Sequence, residues 1–217
     1  MLEPEDLKIL NQHKVCNVYE PGQVIYYEGS PCLGIHCIEG GSVALKKSDG
    51  NGGAVVVGIF GEGQTLGYTA FFSAREHTAS AEALERTQVC FIEKAGVRTL
   101  LDRNPSLGLR FLNRVSERLV DSETERVRAL TLPLRARLAH LLLIFKDRNS
   151  TVDDDGTLTI ELPLSRRDIA AMVGARPESL SRVLRDLEND GVARFDRRHA
   201  VVPDLDLLID EVERVQE

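Results

Sequence analysis

Ser165-Arg-Arg-Asp-Ile-Ala-Ala-Met-Val-Gly-Ala-Arg-Pro-Glu-Ser-Leu-Ser-Arg-Val-Leu-Arg-Asp-Leu-Glu-Asn-Asp-Gly191 is the stretch that decides how this chain is read. Ser165 can cap a helix by accepting from an unpaired backbone amide, and Asp168 stands three residues on, near a capping box. Ile169, Ala170, Met172 and Val173 give that helix its apolar surface, and Gly174 ends it where a positive φ costs little. Pro177 suits the first turn of a second helix, where its missing N–H is not needed. In that helix Leu180, Val183, Leu184 and Leu187 recur at i, i+3, i+4 and i+7, which buries one stripe. Glu178, Ser181, Arg182 and Arg185 fall on the other side, and Gly191 closes the helix. Small Ala170 permits close approach and Gly174 makes the corner, a combination that separates a helix-turn-helix from two adjacent amphipathic helices.

The competing reading is a helical hairpin buried in a core, and the next residues weigh against it. Val192 to Pro203 reads as two short strands around a basic turn at Arg197 and Arg198. A helix-turn-helix followed by a basic hairpin describes a winged helix, and the expected output is sequence-specific binding of double-stranded DNA. Candidate contacts are Arg166, Arg176, Glu178, Ser179, Ser181, Arg182, Arg185, Arg197 and Arg198.

Bulk composition does not carry this reading. The 217 residues have a net charge of −7, which is not the basic balance of a typical DNA binder. Between Ser165 and Ala200, however, eight arginines stand against six acids, enough for a modest phosphate footprint with steep salt dependence. The longest apolar run, Leu138 to Phe145, is too short for a membrane span and is interrupted by His140. The N-terminal Met1-Leu-Glu-Pro-Glu-Asp lacks the pattern of a signal peptide, so a cytoplasmic location without membrane partners is expected.

The first hundred residues have a different texture. Short β-rich runs at 23–27, 34–38, 42–46, 54–60 and 87–92 are punctuated by glycines and turn residues, the spacing of an all-β sandwich or barrel. From about Asn104 the pattern becomes one long helix, with Leu107, Phe111, Val115, Leu119, Ser122, Arg126 and Leu130 stepping by threes and fours. So long a stripe has little to cover it within a small domain, so a second subunit's helix is the expected partner; the competing reading packs it on its own β domain. Pro133 marks a hinge before the second domain. The expected class is α+β, with a sensor β-roll over residues 1–103, a dimerisation helix and hinge over 104–132, and a winged-helix domain over 133–217.

This order of β-roll, long central helix and winged helix resembles the Crp/Fnr family of bacterial transcription regulators across nearly the whole chain. The resemblance implies a cyclic-nucleotide-binding-like sensor, a homodimer built on Leu107, Phe111, Val115, Leu119, Ser122 and Arg126, and RNA polymerase as a further partner. Glu178 followed three and four residues later by Ser181 and Arg182 is similar to the Fnr version of the recognition helix. The cAMP-receptor version carries Arg just before that Glu, where this chain has Pro177. The implied half-site pair is TTGAT, four unspecified pairs, then ATCAA. Arg182 would donate to guanine O6 and N7, Glu178 would accept from a base amino group, and Ser181 would meet a thymine.

The input is less plain than the output. The family's cyclic-nucleotide pocket uses a Glu after a Gly and an Arg-Ser pair; here Tyr68 and His77-Thr78 hold those places. Cyclic AMP is therefore not expected, since its phosphate lacks a charge-assisted partner. An iron–sulfur cluster needs four thiolates, and Cys16, Cys32, Cys37 and Cys90 are present without the spacing of Fnr. Cys90 resembles that family's fourth ligand. Cys37 and Cys90 lie in apolar strands and read as buried, whereas Cys16 and Cys32 flank polar sequence and read as candidate redox thiols. For haem, the candidates are His13, His36 and His77, with none singled out by spacing. A redox, oxygen or NO signal at the β-roll is the leading expectation. A small ligand other than cAMP and constitutive activity stand as alternatives.

Two other classes compete with this reading. A regulatory subunit of an enzyme would need a catalytic motif in the C-terminal half, and there is no phosphate loop, zinc spacing or nucleophile elbow there. A purely architectural protein would have no reason to carry Glu178, Ser181 and Arg182 together. The chain reads as a regulator, not an enzyme.

Overall fold

The computed structural model describes residues 4–50, 53–147 and 150–213, and divides into two compact units, 1–121 and 122–217. The first unit opens with helix α1 (Pro4–Gln12) and then forms a roll of two four-stranded antiparallel sheets. One sheet has the order β1 (Lys14–Tyr19), β8 (Thr87–Glu93), β3 (Gly34–Gly40), β6 (Thr65–Leu66). The other runs β2 (Val24–Tyr26), β7 (Ser80–Ala83), β4 (Val43–Ser48), β5 (Ala54–Phe60). Alternation along these strands sends Ile38, Val43, Phe60, Leu66, Ala81 and Val89 into one apolar cluster inside the roll.

A short helix α2 (Tyr68–Ser73) follows Gly67, which holds φ 78°. A Cβ there would come within 3.1 Å of His77 Cε1, so both backbone and space require glycine. Helix α3 (Lys94–Arg103) leads into α4 (Ser106–Thr131), 26 residues long. None of its residues is fully buried. Phe111 lies 6.0 Å from Tyr68 and 5.2 Å from Phe72, ring centre to ring centre, and Leu107 is half-buried. Leu109, Leu112, Leu119, Val120, Val127 and Leu130 are exposed, Leu130 at 87 %.

In the second unit α5 (Leu134–Lys146) is apolar on most sides and buries Ala136, Leu138, Ala139, Leu141, Leu142 and Phe145. Around it lie α6 (Arg166–Met172), α7 (Pro177–Asn189), α8 (Leu205–Glu213) and a sheet of order β11 (Arg194–Phe195), β12 (His199–Val202), β10 (Leu158–Glu161), β9 (Ser150–Val152). Arg135 ties three of these pieces together. It donates from Nε and Nη2 to the buried Glu211 of α8 at 2.6 and 2.7 Å, and from Nη1 to Asp190 beyond α7 at 2.6 Å. These ion pairs, led by the hydrogen bond to Glu211, hold the Arg135 guanidinium charged. The architecture is thus the expected α+β arrangement: β-roll, long helix, winged helix-turn-helix. Among the described residues no helix is long and apolar enough to cross a membrane.

Candidate nucleic-acid interface

Local chemistry builds the reading head. Ser165 Oγ accepts from the Asp168 amide at 3.1 Å and donates to its carboxylate at 2.7 Å, which starts α6. The turn closes through the amides of Gly174 and Ala175, which donate to the carbonyls of Ala171 and Ala170. Gly174 itself holds φ 64°, and a Cβ on it would press within 3.1 Å of Arg137 Nη1. Pro177 then opens α7, which buries Leu180, Leu184 and Leu187. That burial fixes the helix's roll about its axis.

The opposite face of α7 carries the candidate contacts. Glu178, Ser181, Arg182 and Arg185 are exposed, as is Arg176 just ahead of the helix, and Ser179 is half-exposed. Ser181 Oγ donates to the Pro177 carbonyl at 2.9 Å, leaving its lone pairs outward. Among the described residues no hydrogen bond or ion pair engages the side chains of Glu178 and Arg182. They therefore face an incoming ligand without first breaking an internal contact.

The wing is a separate construction. Asp196 accepts from the amides of Arg198 and His199, both at 2.8 Å, which shapes the turn and holds its carboxyl below the usual carboxylate range. The turn presents Arg197 and Arg198 to solvent. Arg166, a candidate DNA contact in sequence, is half-buried and also engages the wing. Its guanidinium sits 5.4 Å from the Phe195 ring centre, and Nη2 donates to the Asp196 carbonyl at 2.6 Å. Glu188 of α7 accepts from the Phe195 amide at 3.1 Å. Arg166 and Glu188 thereby clamp the wing strand to both helices of the motif. Its neighbours showed no sign of this in sequence, because Phe195 and Asp196 lie a whole helix-turn-helix away.

The candidate sensor residues are distributed through the roll. Tyr26 stacks on His77 at 3.8 Å, and His36 lies 5.0 Å from both Tyr26 and Phe91. Burial, then the neighbouring His77, pushes the His36 imidazole down to about 4, and burial also lowers His77. Burial raises the Tyr26 phenol far above its ordinary value. Tyr26, Tyr68, His77, Thr78 and Arg118 line a cavity of about 20 Å³, little more than one water requires. That cavity, with its side chains as they stand, is too small for a cyclic nucleotide or a haem. Arg118 was missed in sequence; it stands on α4 seven residues after Phe111, on the same inward helix face, and lies 4.7 Å over Phe60. His13 is elsewhere, bonded to Glu93 at 2.6 Å.

The cysteines follow expectation only in part: Cys90 is buried, as its apolar strand implied. Cys16 and Cys90 form a disulfide between facing strands, S–S 1.98 Å, so they are not two independent thiols. Cys32 is buried, its thiol donating to the Gly34 carbonyl at 3.2 Å, because the turn into β3 folds over it. Cys37 is a half-buried free thiol. Four thiolates do not converge, so these residues do not fit an iron–sulfur cluster. Among the described residues no three His, Cys, Asp or Glu side chains are grouped to hold a metal.

Known proteins match both halves. Residues 16–104 match the cyclic nucleotide-binding domain and residues 136–211 the Crp-like helix-turn-helix domain. The transcriptional activator protein FnrL of Cereibacter sphaeroides is 26% identical over 215 residues, covering 96% of this chain and 85% of that protein. A CRP-like cAMP-activated global transcriptional regulator of Mycobacterium tuberculosis is 21% identical, covering 95% and 92%. FixK2 of Bradyrhizobium japonicum shares the fold, with TM-score 0.78 at 22% identity over 91% of this chain and 96% of that one. With both domains matched in the same order and relatives spanning nearly its whole length, the chain belongs to the Crp/Fnr family of DNA-binding transcription regulators.

Proposed function

We propose that the chain works as a homodimer that reads a TTGAT–N4–ATCAA palindrome and responds to a redox signal at the β-roll. One observation carries the specificity: Glu178, Ser181 and Arg182 stand exposed on the face of α7 opposite its buried leucines. Arg182 supplies a bidentate donor for guanine, Glu178 an acceptor for a base amino group, and Ser181 a small contact for thymine. Arg176, Ser179, Arg185, Arg197 and Arg198 serve phosphates and register, not base identity.

Dimerisation follows from α4. Leu109, Leu112, Ser116, Leu119, Glu123, Arg126 and Leu130 alternate by three and four, the spacing of a helix-to-helix seam. Val115 borders this seam and Ser122 lies beside it, whereas Phe111 turns toward its own roll. Dimerisation also matches the operator's two-fold symmetry. The redox reading is supported by the Cys16–Cys90 disulfide, whose Cys16 end is exposed. FnrL's name as a transcriptional activator supports RNA polymerase as the downstream partner. A second reading, a small organic anion in the roll, is supported by Arg118 beside Tyr26 and His77, and requires the cavity to widen around the ligand.

Fluorescence anisotropy with the palindrome and a scrambled duplex, using air-oxidised and dithiothreitol-reduced protein, tests the proposal. The expected preference for the palindrome is at least about 10³-fold at physiological salt, with affinity differing between the two redox forms. Equal binding to both duplexes would sink the specificity reading, and equal affinity in both redox forms the signal.

A further inference from the structure

Strand order does something at Cys90 that pairwise reading hides. Strand β8 lies between β1 and β3, and the registers place Cys16 opposite Cys90 on one side and Cys37 opposite Cys90 on the other. Directly opposed residues of antiparallel strands project from the same face, with Cβ atoms about 4.5–5.5 Å apart. The three cysteines therefore form one row across the sheet, on the face that also carries Ile35 and Ile92. The disulfide uses two of them, and the third, still a thiol, stands on the far side of the central sulfur.

That is the arrangement thiol–disulfide exchange needs, in which a thiolate approaches one sulfur as the other leaves. Cys37 shares a hydrogen bond of 3.8 Å with the Thr65 hydroxyl. Lys14 and Arg114 contribute positive potential around it, and Glu39, itself paired with Lys14 at 3.5 Å, opposes them. Burial dominates and pushes the Cys37 thiol up, so exchange should quicken as pH rises.

We propose that Cys16, Cys90 and Cys37 form an internal disulfide relay in which Cys37 displaces Cys16 from Cys90. The Cys37 thiol gives its proton to water and its sulfur bonds to the sulfur of Cys90. The Cys16–Cys90 bond breaks, and the Cys16 sulfur keeps the electron pair and takes up a proton. One disulfide and one thiol are present before and after, so no oxidant or reductant is consumed. The exchange moves the crosslink from the β1–β8 pair to the β8–β3 pair. It leaves β1, an edge strand, without a covalent tie to β8 and with an exposed thiol at Cys16.

The regulatory consequence rests on the redox reading above, but the test uses no DNA. Dilute full-length protein purified without reductant is incubated at pH 6 and pH 8.5, blocked with N-ethylmaleimide, digested and mapped by mass spectrometry. The expected result is a Cys37–Cys90 linkage, with a matching fraction of maleimide on Cys16, both rising at the higher pH. Cys16→Ser oxidised by diamide while folded should form the Cys37–Cys90 bond. Cys90→Ser should form no intramolecular bond, since Cys16 and Cys37 then stand two strands apart, about 9.5 Å, beyond disulfide reach. A wild-type protein that yields only Cys16–Cys90, together with a Cys16→Ser protein that yields no Cys37–Cys90, overturns the relay. A Cys16–Cys37 bond in Cys90→Ser overturns it as well. A relay without redox-dependent DNA binding defeats the earlier redox reading alone, and redox-dependent binding without Cys37–Cys90 defeats the relay alone.

Discussion

Replacing Arg182 with alanine separates reading from folding. The side chain is exposed and leaves α7 on the side opposite Leu180, Leu184 and Leu187. Its truncation removes no packing, so thermal stability should change by no more than about 0.5 kcal/mol. On DNA the loss is of another size. A bidentate arginine–guanine contact discriminates by about 1–3 kcal/mol, and a dimer on a palindrome makes it twice. The summed loss is about 2–6 kcal/mol, or roughly 30-fold to 10⁴-fold in relative affinity. The measurement is anisotropy titration at fixed salt against the palindrome and a duplex with the guanine changed in both half-sites. Wild type should separate these strongly, and Arg182→Ala should bind them nearly alike. Its affinity for the changed duplex should stay close to that of wild type. Undiminished discrimination by Arg182→Ala would refute the placement of α7 against base edges. The matching control is Leu184→Ala, which removes a buried anchor of the same helix and should cost about 2–5 kcal/mol of stability.

Other expectations concern what holds each unit together. Reducing the Cys16–Cys90 bond reopens a sequence separation of 74 residues, which the chain-entropy relation values at about 4.5 kcal/mol as a ceiling. Calorimetry should show the β-roll transition move down while the winged-helix transition stays, and an unmoved β-roll transition would contradict the linkage. Glu211→Ala strips Arg135 of its buried partner and should destabilise the C-terminal unit by about 3 kcal/mol or more; chemical denaturation followed by circular dichroism reads this, and a neutral result would mean that Asp190 alone satisfies the guanidinium. His36 takes up a proton near pH 6.5 when unfolded and only near pH 4 when folded. Stability of the roll should therefore fall as pH drops through that window, by about 3 kcal/mol at most, with His77 acting in the same sense. His36→Gln should flatten that pH dependence in urea titrations, and an unchanged slope would assign the effect elsewhere.

The elements that were legible in sequence share a property: their determinants are near neighbours. Ser165 with Asp168, Gly174 at the corner and the leucine stripe of α7 each act within a turn or two of helix, so period and capping chemistry expose them. The short strand β6 and helix α2 escaped because neither is long enough to show a period. Strand β1 escaped because its burial does not alternate; Val15, Cys16, Asn17 and Val18 are all exposed on the sheet edge. The two apolar faces of α4 could not be told apart for a related reason. One helix can carry two apolar faces, and periodicity alone does not say which faces its own roll, whereas Phe111 against Tyr68 and Phe72 settles it.

By itself, then, the sequence determined the order of roll, long helix and winged helix, and the identity of the outward trio on α7. Amphipathic period, caps and turn residues are short-range constraints that survive without knowledge of partners. Tertiary structure alone decided that Arg166 clamps the wing, that Arg118 enters the roll, and that Cys90 stands between Cys16 and Cys37. Those outcomes depend on strand register and on side chains meeting across sheets, where a shift of one residue would turn every group to the other face. The helix-turn-helix is therefore written locally in the chain, while the groupings of side chains in the β-roll exist only once the strands have paired.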